Sequence, residues 1–155
     1  MSTAVANFEA QAKSFLSAAV GSAQVGITPA PAPELNGLLL QLPGAAPVYL
    51  VLNGFRRWVP SPATLNQLFV SGAKIIQDIG IGTVSEGPAL SANAVLAKAD
   101  NSDRVYLVTN GVKMWIPSPD ILNRYQFNGA KIVTVPSILI DSIPNGPNVE
   151  GPHSV

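Results

Sequence analysis

Two stretches of the chain, residues 48–59 and 105–116, each contain two short and mainly apolar runs. Short apolar runs that are bounded by turn residues are typical of β-strands, whose successive side chains point to opposite faces. Asn-Gly interrupts each stretch at its middle, at Asn53-Gly54 and at Asn110-Gly111. This dipeptide favours a two-residue type I′ turn because both of its residues tolerate positive φ. The pattern therefore predicts two β-hairpins.

The two hairpins belong to a longer duplicated segment. Residues 48–75 and 105–132 align without a gap at a constant offset of 57 positions, and 16 of the 28 aligned residues are identical. Units of roughly 60 residues or fewer bury little apolar surface when they stand alone, whereas repeated units bury theirs against each other. We therefore expect the two units to share one core about a pseudo-twofold axis, with the hairpins contributing most of it.

Each hairpin is followed by signals for a short helix and a further strand. Pro60 and Pro117 end the strands because proline has no N–H to donate to a ladder. Ser61 and Ser118 then supply helix N-caps, each followed by a proline suited to the first helical position. Further strands are expected at residues 38–42, 74–76, 95–99 and 131–133. Each unit is thus predicted as β-β-β-α-β.

The first 27 residues differ from the repeats. Apolar side chains recur at three- and four-residue spacing between residues 3 and 20, which predicts an amphipathic helix. Its apolar stripe includes Val5, Phe8, Phe15 and Leu16. The following Thr-Pro-Ala-Pro-Ala-Pro run at residues 28–33 is typical of an extended spacer. A helix held away from its own domain is expected to bind a partner; the alternative is that it folds back onto the core.

These patterns together predict an α+β protein. Two tandem β-hairpin/short-helix repeats form one pseudo-twofold domain, preceded by an N-terminal amphipathic helix and a Pro-rich spacer. The predicted boundaries are 1–27 for the assembly or anchoring helix, 28–34 for the spacer, 35–88 for repeat 1, 89–147 for repeat 2 and 148–155 for a C-terminal tail.

Composition narrows the possible functions. Only 12% of the residues are charged, and nine basic side chains balance nine acidic ones, so nothing favours a nucleic-acid partner. No run of about 18 strongly apolar residues is present, and we expect no membrane insertion. The first residues lack the basic region of a secretory signal peptide. Because the chain has no cysteine, disulfides and thiolate chemistry are excluded.

Residues suited to catalysis are sparse. The single histidine, His153, lies close to the C-terminal end of the sequence, where order is least expected. No acidic residue recurs at equivalent positions of the two repeats, and Gly80-Ile81-Gly82 lacks the pattern of a phosphate-binding loop. We therefore expect no enzymatic activity, no catalytic residue, no cofactor and no metal site.

The repeated aromatic residues are the best candidates for function. The two-residue turn places Tyr49 opposite Trp58 on one hairpin face, together with Arg56, and the second hairpin repeats the arrangement. If this face is exposed, aromatic rings beside a cation and an amide form a carbohydrate platform. If it is buried, the ring pairs fill the core between the units with the cation over a ring, and we favour this second interpretation. The candidate ligand or interface residues are Tyr49, Arg56, Trp58, Asn66, Tyr106, Lys113, Trp115 and Asn123.

The motif V-Y-L-V-x-N-G-x-x-x-W-(V/I)-P-S-P-x-x-L-N, present twice, resembles a repeat of bacterial surface proteins and of virion-associated proteins of phages that infect actinobacteria. Arg56-Arg57 and the Ile-Pro-Asn-Gly at residues 143–146 match that repeat, whereas Lys113-Met114 departs from its basic pair. The resemblance implies a non-catalytic, outward-facing module and assigns no catalytic residue.

Two functions of different class are consistent with these observations. The first is a non-enzymatic structural or accessory protein of a large assembly, with a phage virion as the expected assembly and a capsid decoration, head fibre or tail protein as the expected part. Other protein subunits would be its partners, and it would be located in the virion or at a cell surface. The alternative is a carbohydrate or cell-wall binding module with two aromatic sites, for which glycans would be the partners.

Overall fold

Two four-stranded sheets of the same topology make up the part of the chain that the computed structural model describes, residues 28–154. The predicted amphipathic helix with Val5, Phe8, Phe15 and Leu16 lies outside these residues. The first sheet contains β1 (Leu39–Gln41), β2 (Val48–Leu52), β3 (Phe55–Val59) and β4 (Ile75–Gln77), with helix α1 (Pro62–Leu68) before β4. The second contains β5 (Val95–Ala99), β6 (Val105–Thr109), β7 (Val112–Ile116) and β8 (Val133–Val135), with α2 (Pro119–Arg124) before β8. The mixed α+β class and the two-repeat organisation are therefore confirmed.

The strand order is β3-β2-β1-β4 in the first sheet and β7-β6-β5-β8 in the second. Within each sheet the first three strands are antiparallel, and the last strand pairs in parallel with the first. The hairpin register is the predicted one, with Tyr49 opposite Trp58 and Tyr106 opposite Trp115. Each repeat is thus β-β-β-α-β.

The turns and helix caps follow local sequence chemistry. Asn53 and Asn110 have φ of 51° and 54°, and the glycine after each is also at positive φ, as a type I′ turn requires. The hydroxyls of Ser61 and Ser118 each accept a hydrogen bond at 3.2 Å from the backbone N–H three residues on. Both features were predicted and are confirmed.

The last strand of the second repeat begins later than predicted. Residues Gly129–Lys131 form a 3₁₀ turn, whose start is capped by the Asn128 side chain accepting from the N–H of Ala130 at 3.0 Å. The strand therefore runs from Val133 rather than from residue 131. Two elements without a sequence signal follow the last strands, a 3₁₀ helix at Ile79–Thr83 and helix α3 at Ser137–Asp141.

A central core lies between the two sheets. Both hairpins contribute the face that carries Leu50, Val59, Leu107 and Ile116, which are all buried. The ends of α1 and α2 add buried side chains, including three stacked aromatic rings whose successive centroids lie 5.3 and 5.4 Å apart. These rings belong to Phe69, Tyr125 and Phe127. Because both hairpins supply this core, neither repeat has a separate core on this side.

The outer face of each sheet is covered by a segment of its own repeat. In the first repeat, Leu35, Ile81 and Val84 pack over the β1-β2-β4 face. In the second repeat, Ile140 of α3 packs over Ala97 and Ala99 of β5. Leu35 ends a further 3₁₀ turn at Pro33–Leu35. Short elements that the sequence did not predict therefore close the outside of the sheets.

Equivalent closing segments run beside β3 and β7. Leu90 donates its N–H to the carbonyl of Trp58 at 3.0 Å, and Val149 donates to the carbonyl of Trp115 at 2.8 Å. Both residues are buried in the central core, and Val149 has no exposed surface. The start of the segment predicted as a C-terminal tail is consequently part of the domain, because an apolar side chain there fills the core.

The turn asparagines connect the repeats reciprocally. Asn53 of the first repeat donates its side-chain N–H to the carbonyl of Asn148 at 2.8 Å and accepts from the N–H of Glu150 at 2.9 Å. Asn110 of the second repeat donates to the carbonyl of Ala89 at 2.9 Å. Ala89 precedes Leu90, which pairs with Trp58 of β3, so residues 89 and 90 close the first repeat although the predicted boundary assigned them to the second. Each hairpin turn therefore holds the closing segment of the other repeat, which agrees with a pseudo-twofold arrangement.

The Pro-rich run is not a free spacer. Ala30 donates its N–H to the carbonyl of Thr83 at 3.1 Å, and Ala32 donates to the carbonyl of Gly54 at 2.8 Å. Ala32 is also buried. These bonds attach the run along the outer edge of the first repeat, since its extended backbone leaves alternate N–H and C=O groups free to pair.

Two equivalent tryptophan pockets as the candidate functional site

The Tyr-Trp face of each hairpin does not fill the core between the repeats, so the interpretation that we favoured from the sequence is wrong on this point. Trp58 is 42% exposed, and Trp115 is half-buried. The opposite hairpin face packs inward through its aliphatic side chains, among them Leu50 and Val59. Arg57 lies on the same face, opposite Leu50, and its guanidinium donates to the Pro88 carbonyl, because a guanidinium that is partly buried needs a partner.

Each tryptophan forms one wall of a surface pocket. The Trp58 pocket has a volume of about 280 Å³ and is lined by residues 46–48, 58–62 and 65. The Trp115 pocket has a volume of about 310 Å³ and is lined by residues 103–105, 115–119 and 122. Every lining position of one pocket corresponds to a lining position of the other at the repeat offset of 57. The duplication has therefore produced one pocket per repeat.

The walls of the two pockets are almost the same. The strand that carries the tryptophan leads into the Pro-Ser-Pro start of the short helix, and the leucine three residues after the second proline, Leu65 or Leu122, completes the pocket. The Ser61 hydroxyl is occupied as the N-cap acceptor and lies 3.0 Å from the Thr64 hydroxyl. The pockets are thus mainly apolar surfaces that suit a flat or apolar group, with few directed hydrogen bonds to offer.

The two pockets differ in the pair of residues that precedes the first strand of each hairpin. Ala46-Pro47 in the first repeat corresponds to Asp103-Arg104 in the second. The Arg104 guanidinium carbon lies 4.5 Å from the centroid of the Trp115 ring, within cation–π range. The Trp115 pocket therefore contains its own cation, whereas the Trp58 pocket has a proline at that position.

Arg56 and Lys113, predicted to sit beside the aromatic rings, do so, but over the tyrosines and outside the pockets. Arg56 lies 4.9 Å from the centroid of the Tyr49 ring, and Lys113 lies 5.6 Å from that of Tyr106. Both also donate to backbone carbonyls of the outer segments: Arg56 Nε to Val84 at 2.9 Å and Lys113 Nζ to Ile140 at 2.7 Å. These cations therefore hold the outer segments against the sheets.

Asn66 and Asn123, the predicted amide partners, are exposed and line neither pocket. The sequence reasoning missed a more important asparagine. Asn36 is fully buried, accepts from the N–H of Gly54 at 2.7 Å and donates to the carbonyl of Gly151 at 3.1 Å. It joins the hairpin turn of repeat 1 to the end of repeat 2. Its equivalence to Asn93 was visible in the sequence, but its burial was not.

Titratable groups in the described part of the chain form no reactive cluster. His153 is exposed and pairs with the Glu150 carboxylate at 2.8 Å; hydrogen bonds to the Ser154 carbonyl and to that carboxylate raise the pKa of the imidazole. Burial lowers the pKa of Arg57, whose guanidinium donates to the Pro88 carbonyl and to the Asn110 side chain. Among residues 28–154, no group of three or more His, Cys, Asp or Glu side chains is placed to hold a metal ion.

The described residues also bear on membrane insertion and on buried polar groups. No helix within residues 28–154 combines the length and the hydropathy that crossing a bilayer requires. Every buried side-chain nitrogen or oxygen in that range has a hydrogen-bond partner. The buried polar side chains of the described domain are thus engaged internally. Comparisons with protein-family models, with curated proteins and with solved structures gave no match.

Proposed function

We propose that this protein is a non-enzymatic accessory subunit of a large assembly, in which residues 1–27 attach and the two-repeat domain projects. A phage virion is the assembly that the repeat resemblance favours, with a capsid decoration, a head fibre or a tail protein as the part. The proposal rests on the hydrogen-bond partners of the duplicated polar side chains. Arg56, Lys113, Asn53 and Asn110 all bond to the protein's own backbone.

A catalytic site would present such groups to a substrate rather than to the protein's own backbone. In the described domain these side chains hold the outer and closing segments against the two sheets. The duplicated polar side chains thus serve to build the domain itself. Polar groups that stabilise the domain are expected in a structural module that projects from an assembly. The repeat resemblance contributes only the identity of that assembly.

The surface of the first repeat supports contact with other subunits. Residues 35–88 carry five charged side chains, whereas residues 89–147 carry nine. The exposed large apolar side chains of the first repeat are Leu42, Phe55, Trp58, Val70 and Ile79. A surface that is poor in charge and contains exposed apolar groups is typical of an interaction surface.

The Pro-rich run leads from residues 1–27 along the outer edge of the first repeat. Ala30 donates its N–H to the carbonyl of Thr83 at 3.1 Å, and further along the run the carbonyl of Pro33 accepts from the N–H of His153 at 3.3 Å. The first 27 residues therefore join the domain at the outer edge of the first repeat, which carries fewer charged side chains than the second.

The test compares the full chain with a variant that lacks residues 1–27. The deletion ends before Ala30 because Ala30 and Ala32 are bonded to the domain. Sedimentation velocity should show a defined oligomer or particle association for the full chain and a monomer for the deletion variant. Circular dichroism and cooperative unfolding should be the same for both.

A matched control keeps the length of the chain and changes only the predicted apolar stripe. Phe8→Ser with Phe15→Ser should lower association as strongly as the deletion does, because both side chains belong to that stripe. Lys13→Gln, on the predicted polar side of the same segment, should leave association unchanged. A monomeric full chain, or a deletion variant that still associates, would contradict the proposal.

A second candidate is carbohydrate binding, which the exposure of Trp58 favours. An exposed indole beside an apolar wall suits the C–H face of a sugar ring. Arg104 lies over the ring of Trp115, so the two sites expected from the sequence become one accessible platform. A cell-wall pull-down should then lose binding with Trp58→Ala and retain it with Trp115→Ala. Retention by both variants would remove this candidate.

A further inference from the structure

The two tryptophan pockets provide an internal comparison, because they share their walls and differ at one corner. In the Trp115 pocket a guanidinium lies over the indole ring, 4.5 Å from its centroid. In the Trp58 pocket the equivalent residue is Pro47, which carries no charge. Trp58 is also the more exposed of the two indoles.

We propose that the Trp58 pocket binds an arginine side chain supplied by a protein partner, in the place that Arg104 takes in the Trp115 pocket. The inference rests on the proposed role as an assembly subunit, since it names the chemistry of one contact between subunits. It differs from that proposal in concerning the domain itself rather than residues 1–27.

The walls of the Trp58 pocket suit this ligand. A guanidinium is planar and weakly hydrated, so it stacks on an aromatic ring at little desolvation cost, and tryptophan is the ring that attracts a cation most strongly. The arginine stem needs an apolar wall, which Val48, Pro60 and Leu65 supply. The same strand and Pro-Ser-Pro elements already surround a Trp-Arg pair in the second repeat.

The two lining residues that differ between the pockets explain why the partner must supply the arginine. Asp103-Arg104 of the second repeat is exposed, and the guanidinium folds back onto the indole of its own repeat. Ala46-Pro47 has no side chain that reaches over Trp58 as a cation. The Trp115 pocket therefore contains a cation from its own repeat, and the Trp58 pocket would receive its cation from a partner protein.

The test is a titration of the full-length protein with an arginine peptide, followed through the two tryptophan indole N–H signals in NMR spectra. The probe is the capped hexapeptide with the sequence of residues 101–106, Asn-Ser-Asp-Arg-Val-Tyr. The control peptide has citrulline in place of arginine, which keeps the shape and removes the charge. Trp58→Phe and Trp115→Phe assign the two signals.

The arginine peptide should shift the Trp58 signal in a saturable way, with a dissociation constant in the millimolar range. The citrulline peptide should bind about twofold to fivefold more weakly, the size of an exposed cation–π interaction. The Trp115 signal should not respond in the natural chain and should begin to respond in Arg104→Ala.

Two substitutions of Pro47 provide a second test of the inference. Pro47→Arg supplies the cation from within, so it should weaken peptide binding and reduce acrylamide quenching of Trp58. Pro47→Ala, the matched control, should bind the peptide as the natural chain does. If Pro47→Arg does not fold, the peptide pair and Arg104→Ala still test the inference.

Three results would overturn the inference. The first is equal binding of the arginine and citrulline peptides. The second is an equal response of both tryptophans in the natural chain. The third is saturation of Trp58 by N-acetylglucosamine at a lower concentration than by the peptide, which would assign the pocket to glycans. None of these results depends on whether residues 1–27 drive association, so the two proposals fail separately.

Discussion

The turn asparagine Asn53, which is half-buried, should contribute more to stability than its position at a hairpin tip suggests. Its side chain makes two hydrogen bonds to the closing segment of the other repeat, at 2.8 and 2.9 Å. Each hydrogen bond contributes about 0.5–1.5 kcal/mol. Its φ of 51° also lies in the left-handed region, where alanine costs about 1 kcal/mol more than asparagine or glycine.

These values predict the results of two substitutions at one position. Asn53→Gly removes the hydrogen bonds without backbone strain and should lower the free energy of unfolding by about 1–3 kcal/mol. Asn53→Ala removes the bonds and adds strain, and it should lower the free energy of unfolding by about 2–4 kcal/mol. The difference between the two variants measures the backbone contribution alone.

The assay is urea unfolding followed by tryptophan fluorescence, with the slope of the transition compared between variants. Asn101→Ala, on an exposed turn, is the control and should change stability by less than about 0.5 kcal/mol. A loss below about 0.5 kcal/mol for Asn53→Gly would refute the reasoning, because it would mean that the reciprocal bonds between the repeats contribute nothing measurable. The equivalent substitution of Asn110 should give a loss of the same order.

Three further predictions concern the end of the second repeat. Val149→Ala should lower the free energy of unfolding by about 2 kcal/mol because the side chain is fully buried, whereas Ile138→Ala, at a position 74% exposed, should change it by less than about 0.5 kcal/mol in the same urea assay. Tyr125→Phe should cost about 1 kcal/mol by removing the 2.6 Å hydrogen bond to the Glu150 carbonyl. Burial also raises the pKa of the Tyr125 phenol, so absorbance titration should show this group ionising only well above the usual tyrosine pKa, or on unfolding. The raised pKa of His153 means that its contribution to stability is complete below the unfolded pKa of about 6.5 and is lost as pH rises through the folded pKa. His153→Gln should therefore flatten the pH dependence of the unfolding free energy in that window, and an unchanged profile would contradict the assignment.

Local signals in the sequence predicted the parts of the fold that depend on neighbouring residues. The Asn-Gly turns determine the hairpin register, which the structure confirms at Tyr49 opposite Trp58. The Ser-Pro pairs determine where α1 and α2 begin. These features are predictable because a positive φ, a cap acceptor or a missing N–H acts within a few residues.

The candidate site was predicted only in part. The sequence identified the repeated tryptophans, but it attached Asn66 and Asn123 to them and placed the rings in the core. The Pro-Ser-Pro wall was recognised as a helix start and not as part of a pocket. A pocket forms between side chains from segments that are separate in sequence. The spacing of residues within one strand does not show which of these segments come together.

The sequence by itself determined the duplication, the β-β-β-α-β order of each repeat and the two faces of each hairpin. Only the tertiary structure decided which face packs inward, because alternation separates two faces without ranking them. The inward face carries Leu50 and Val59, and the Arg57 guanidinium on the same face has hydrogen-bond partners, so no unpaired polar group is buried there. Tertiary structure likewise decided that Asn53 and Asn110 hold the opposite repeat, because their partners lie 95 and 21 positions away along the chain.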